Sequence, residues 1–200
     1  MKIYHYRDIK KGKANARSDP LACLHGRRRG VFRIILAGGR TPLQTYRLLS
    51  RTMADWRNWQ IYFSDECCLP PAHDAHNSRA AALAWLARVP IPETNIHPIP
   101  AERGAEAAAS AYSRVVGTAQ PFDLVTLGMG EDGHTASLFP GRVHSVTEPM
   151  LPIHGAPKPP PDRVSLSANT LSNAREIMIL VTGAGKREAI TAWRPVSSCP

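Results

Sequence analysis

Three short apolar runs in this chain end in glycine: VFRIILAGG (31–39), FDLVTLGMG (122–130) and EIMILVTG (176–183). An unbroken apolar run closed by a turn reads as a buried strand. The first is followed by TPLQTYRLLSRTMADW (41–56), which reads as a helix with Thr41 as N-cap and Pro42 at its first position. WQIYFSDE (59–66) is a further strand ending in acids, and NSRAAALAWLARV (77–89) an Ala-rich helix capped by Asn77 or Ser78. AERGAEAAASAYSRVVG (101–117) is another helix, and RVSLSANTLSN (163–173) a short strand with a loop or helical turn; a last helix begins at Gly185 and Lys186. The recurring order predicts an α/β fold, Rossmann-like, with a mainly parallel sheet flanked by helices. In such sheets ligands bind beyond the carboxyl ends of the strands, where AGGRTP, SDE, GMGEDGH and TGAGK all fall.

With 200 residues, 43% of them hydrophobic, the chain can bury one sizeable core. No run of about 18 apolar residues is present to span a membrane, and the N-terminus lacks the apolar stretch of a secretory signal, so a cytoplasmic protein is expected. The four cysteines, Cys23, Cys67, Cys68 and Cys199, form no CxxC pair and read as free thiols. The formal charge is +9, but residues 1–40 hold eleven Lys or Arg against Asp8 and Asp19, and the remainder balances. Residues 1–30 therefore read as a basic, partly disordered segment ahead of a domain over 31–200. Without interleaved aromatics this segment argues against a nucleic-acid surface.

Glycines at a strand end let backbone amides approach an anion. AGGRTP adds the N-terminus of the next helix, with its unpaired amides and favourable dipole. Neither glycine turn is a GxxxxGKS or GxGxxG loop, which leaves nucleotides without support. Each alone could be a tight turn; two at one sheet edge point to a small phosphorylated ligand.

AGGRTPLQTY, FSDECCLP followed by HNS, FDLVTLGMGEDGHTASLFPG, and RVSLSANTLSNAREIMILVTGAGK resemble, in order and spacing, the motifs of the glucosamine-6-phosphate isomerase/6-phosphogluconolactonase superfamily. The resemblance runs from about Phe32 to Ala192 and is most specific at DGHTASLFPG, where the isomerases and deaminases carry an acid that this chain lacks. It implies a lactonase-type fold that hydrolyses a small phosphorylated sugar lactone, 6-phosphogluconolactone, with no metal or redox cofactor. His134 would be the base that activates water, which suits an imidazole titrating near operating pH. Asp132 would orient the ring or shape the loop. Phosphate would lie on the amides of Gly38 and Gly39 and the Thr41 hydroxyl, with Arg40 adding charge or pointing to solvent. Asp65, Arg163 and Lys186 match family positions around the substrate.

Two departures accompany the resemblance. Cys67 stands where the family's DERCVP-like motif has arginine, and a neutral thiol cannot make a permanently charged bidentate contact. The ends also differ: the chain stops at TAWRPVSSCP, before the family's last strand and helix, and NARSDPLACLHGRRRG replaces an amphipathic helix. Both edges of the domain are expected to be incomplete. Alternatives to a lactonase are an isomerase or deaminase, and a degenerate sugar-phosphate binder.

Overall fold

The computed structural model describes residues 30–193. The expected basic segment before Gly30, and the chain after Trp193, lie outside the described residues. The elements are β1 (Phe32–Leu36), α1 (Arg40–Leu49), β2 (Trp59–Phe63), β3 (Asp65–Cys67), α2 (Asn77–Ala84), α3 (Ala105–Ala119), β4 (Phe122–Gly128), β5 (Met150–Ile153), β6 (Arg163–Leu166), α4 (Ala168–Ser172), β7 (Ala174–Leu180) and α5 (Arg187–Ala192). They build a four-stranded sheet in the order β2-β1-β4-β7 and a three-stranded sheet in the order β3-β6-β5. The first is parallel throughout, with Ile34 opposite Ile61 and Leu124, and Leu124 opposite Glu176. The second is antiparallel.

The apolar runs become the strands they predict because both faces of the central strands are covered. Ile34, Ile35 and Leu36 are all buried, as are Phe122, Val125 and Leu127. An aromatic cluster of Trp56, Trp59 and Trp85 packs beside β1, with Phe32 and Trp59 ring centroids 4.5 Å apart. Helix α3 buries Ala105, Ala108, Ala109, Tyr112 and Val116, a stripe at helical spacing. The helix lies against β5 and β6. Tyr112 ties the same helix to β2, accepting from the Phe63 amide at 3.0 Å and donating to the His97 carbonyl at 2.8 Å.

The run WQIYFSDE, read as one strand, is two. Ser64 is the break: its amide donates to Leu36 of β1 at 2.9 Å, and its carbonyl accepts from Leu166 of β6 at 2.8 Å. One residue thus belongs to both sheets, which turns the chain from one into the other. Helix α1 also differs from expectation. It starts at Arg40 with Gly39 at the N-cap position, not Thr41, and no side chain caps it. Gly39 has φ 91°, which favours glycine and sets the helix start two residues early. The helix stops at Leu49 because bonds from Arg51 to Leu48 and from Thr52 to Leu49 tighten its last turn, and Trp56–Asn58 forms a separate 3-10 turn. Helix α2 likewise ends at Ala84, and α3 starts at Ala105. Strand β5 had no sequence signal: MLPI is four residues long and includes a proline.

Tyr46 of α1 fixes the turn that follows β1. Its buried hydroxyl accepts the Ala37 amide at 3.0 Å and lies 2.9 Å from the Ala37 carbonyl and 3.2 Å from Thr126 Oγ1. Burial pushes its phenol pKa well up, so it remains a neutral donor. Tyr46→Phe leaves the Ala37 amide buried without this partner and is expected to cost about 1–3 kcal/mol. The check is a lower urea midpoint at unchanged m-value.

Candidate functional site

In the order β2-β1-β4-β7, the chain leaves β1 for β2 on one side, whereas β4 and β7 lie on the other. The reversal places a crevice at the carboxyl ends of β1 and β4, the position where doubly wound sheets bind ligands. Gly38 and Gly128 meet there: a Cβ on Gly128 would lie 3.6 Å from the Gly38 carbonyl oxygen and from Pro42 Cγ. A Cβ on Gly38 would fall 2.0 Å from Asn77 Oδ1, so glycine is what allows β1's turn to abut the start of α2. The first turn of α1 carries no acidic residue. Its free amide end and the exposed Arg40 suit an anion.

The turn after β4 folds back on itself. The Gly130 amide donates to the His134 carbonyl at 2.7 Å, and Thr135 Oγ1 donates to the Gly128 carbonyl at 2.9 Å. Gly133, with φ 87°, closes the turn. This brings His134 Nδ1 to 2.5 Å from Asp132 Oδ1, with the imidazole resting on the Phe139 ring at 4.7 Å. Partial burial opposes ionisation of Asp132, but the hydrogen bond to His134 holds its carboxyl below the usual range. An ionised carboxylate only accepts, so Nδ1 carries the proton and Nε2 presents a lone pair. The pair has the arrangement of a general base and its orienting carboxylate.

Around this pair the structure joins most of the predicted residues. Thr41 Oγ1 lies 2.7 Å from Thr182 Oγ1 just after β7, and Lys186 Nζ is 4.0 Å from Glu131 in the β4 turn. Gly38, Gly39, Arg40, Thr41, Asp132, His134 and Lys186 therefore share one edge of the parallel sheet. Asp65 sits beneath it, 6% exposed. Its carboxylate accepts from Ser64 Oγ at 2.9 Å, Ser137 Oγ at 2.7 Å and Asn77 Nδ2 at 3.4 Å. Burial pushes its pKa up, while the serine hydrogen bonds pull it down. Arg163 holds its own loop, donating to the carbonyls of Lys158, Pro159 and Pro160 at 3.0–3.3 Å.

Cys67 lies directly opposite Arg163 in the β3–β6 pairing and is buried. Burial pushes its thiol up to about 11, so it stays neutral near pH 7. Sequence reasoning left one working residue without a role. Glu66, 0% exposed, accepts from the amides of Asn77 and Ser78 at 2.7 and 3.0 Å and meets His76 Nδ1 at 2.9 Å. It caps α2 in place of the expected Asn77 or Ser78, with His76 at the N-cap position. A cap supplied from eleven residues upstream has no local spacing signature. A separate concavity lined by Gln120, Glu148, Asn169 and Asn173 lies by the amino ends of β4 and β7, away from all these groups.

An Asp–His pair beside two glycine turns, at the switch point of a parallel sheet, marks the chain as an α/β protein of the doubly wound class. The chain belongs to the glucosamine-6-phosphate isomerases/6-phosphogluconolactonase family, whose model matches residues 18–200. It is 37% identical over 172 residues to a 6-phosphogluconolactonase of Synechocystis, an alignment covering 81% of this chain and 71% of that relative. It is 33% identical to 6-phosphogluconolactonase 3, chloroplastic, of Arabidopsis thaliana, with 82% of this chain and 56% of the relative covered. The chain thus spans just over half the length of that plant relative. The crystal structure of 6-phosphogluconolactonase from Thermotoga maritima superposes with a TM-score of 0.83 at 26% identity, covering 94% of this chain and 87% of that one. No helix among the described residues is long and apolar enough to cross a membrane.

Proposed function

We propose that this chain hydrolyses 6-phosphogluconolactone to 6-phosphogluconate in the cytoplasm. The observation that carries the reading is the Asp132–His134 pair, 2.5 Å apart, set between glycine turns at one sheet edge. The names of its relatives support it, and the free thiols Cys67 and Cys68 suit a reducing compartment.

In this reading the substrate phosphate lies on the amides of Gly38 and Gly39 with Arg40 and Thr41, and Lys186 adds positive charge at the mouth. Arg163 approaches the sugar from the antiparallel sheet, and Asp65 holds Asn77 and Ser137 in place from below. His134 Nε2 takes a proton from water as its oxygen attacks the lactone carbonyl carbon. The tetrahedral intermediate collapses with cleavage of the acyl carbon–ring oxygen bond, and the imidazolium returns the proton to the departing ring oxygen. Asp132 stays ionised and keeps the ring oriented throughout.

The test is a lactonase assay on freshly made 6-phosphogluconolactone, corrected for spontaneous hydrolysis, run beside ammonia release from glucosamine 6-phosphate. Turnover of the lactone with no ammonia above background is expected, because ASLFPG offers no acid for ring opening and proton transfer. Ammonia release without lactone hydrolysis overturns the reading.

A further inference from the structure

Trp193, immediately after α5, reaches back to the β4 turn. Its indole Nε1–H donates to the Gly133 carbonyl at 3.0 Å. The two residues are also in packing range: a Cβ added to Gly133 would lie 3.3 Å from that indole nitrogen and 3.6 Å from the Ala189 Cβ of α5. Gly133 is the residue between Asp132 and His134. Nearby, Lys186 at the other end of the same helix meets Glu131 at 4.0 Å. The turn carrying the Asp–His pair is therefore held from outside at two points by one short element. Within the turn, the Gly130–His134 and Gly133–Gly130 backbone bonds, the Thr135 hydroxyl on the Gly128 carbonyl and the Asp132 side chain close the loop.

We propose that Trp193 is a positioning residue for the reaction: its hydrogen bond to Gly133 fixes the turn so that Asp132 and His134 meet. The inference rests on the lactonase reading for its kinetic arm alone. Trp193 is 40% exposed, unlike the buried Trp56, Trp59 and Trp85, so an indole is not required there to complete the core. Its ring nitrogen faces a carbonyl that the turn's own backbone leaves unpaired among the described residues. Trp193 Nε1–H is the one described donor to that oxygen. Losing it frees the peptide on which both members of the pair depend.

The experiment uses the full chain and Trp193→Phe, which keeps an aromatic ring on Gly133 and removes the N–H. The expected result is a fall in kcat of roughly threefold to tenfold, the scale of one neutral hydrogen bond, with KM within about twofold and thermal midpoint unchanged. In a His134→Ala background the same substitution is expected to cost nothing further, because its effect passes through the imidazole. The second arm needs no substrate: amide exchange at Gly130, whose N–H bonds the His134 carbonyl, is expected to quicken while β1 amides keep wild-type rates. Wild-type kcat together with wild-type Gly130 exchange overturns the proposal, as does an equal loss in both backgrounds. If the wild-type chain fails to hydrolyse the lactone, the proposed function falls, and Gly130 exchange alone decides whether Trp193 holds the turn.

Discussion

Replacing His134 with alanine is expected to lower kcat for lactone hydrolysis by about two to four orders of magnitude, the usual contribution of a positioned general base. Product binding and the far-ultraviolet spectrum should be unchanged, since the ring rests against Phe139 at the rim and does not fill the core. Asp132→Asn is expected to approach the same loss by a different route. An amide turned to donate to Nδ1 would move the imidazole proton to Nε2 and remove the lone pair that takes the proton from water. Asp132 stays ionised near neutral pH because its folded-state pKa is depressed. For the same reason its contribution to stability is present above the ordinary carboxylate range and lost only as pH falls through the lowered value. A His134→Ala enzyme with near-normal turnover would remove the base assignment and the mechanism with it.

The parts of this site that the sequence displayed are those with local causes. Buried parallel strands need continuous apolar runs, and glycine turns need glycine, so β1, β4 and β7 and the three glycine motifs at their ends were readable along the chain. The Asp132–His134 contact was only half visible: two residues of separation permits it, but the folded-back turn from Gly130 to His134 creates it. What could not be read is what depends on other strands. Ser64 ends β2 because its carbonyl is taken by Leu166, over a hundred positions later, and nothing in WQIYFSDE announces this. Asp65 read as a residue near substrate, yet its oxygens face Ser64, Ser137 and Asn77. Glu66 caps a helix that starts at Asn77. Cys67 illustrates the limit from the other side: its departure from the family pattern was plain, but its burial opposite Arg163 comes from the β3–β6 register alone.

Gly130→Ala tests the geometry of the pair without substituting either member. A Cβ at this position would fall 2.1 Å from His134 Nδ1, 2.3 Å from His134 Cε1 and 2.4 Å from Asp132 Oδ1. Real Cβ atoms do not approach that closely, so something must move. The backbone has no reason to, because Gly130 is not among the residues with positive φ and its conformation is open to alanine. The side chains are the cheap way out: His134 and Asp132 sit at the rim with 18% and 37% of their side chains exposed, and each can rotate toward solvent. The fold should therefore survive with little change in thermal midpoint while the 2.5 Å contact is lost. A base that is present but misplaced forfeits most of its rate contribution, which sets an expected fall in kcat of about a hundredfold to a thousandfold. Gly117→Ala is the control. It lies within α3 with nothing within 4 Å of the added carbon, so activity should be untouched and stability unchanged or slightly raised. The decisive measurement combines the two changes at the site. In a His134→Ala background the new methyl occupies space the imidazole has vacated, and Gly130→Ala should then cost almost nothing further. Full activity in Gly130→Ala alone, or equal losses in both backgrounds, would mean that the reaction does not depend on the pair that this turn builds.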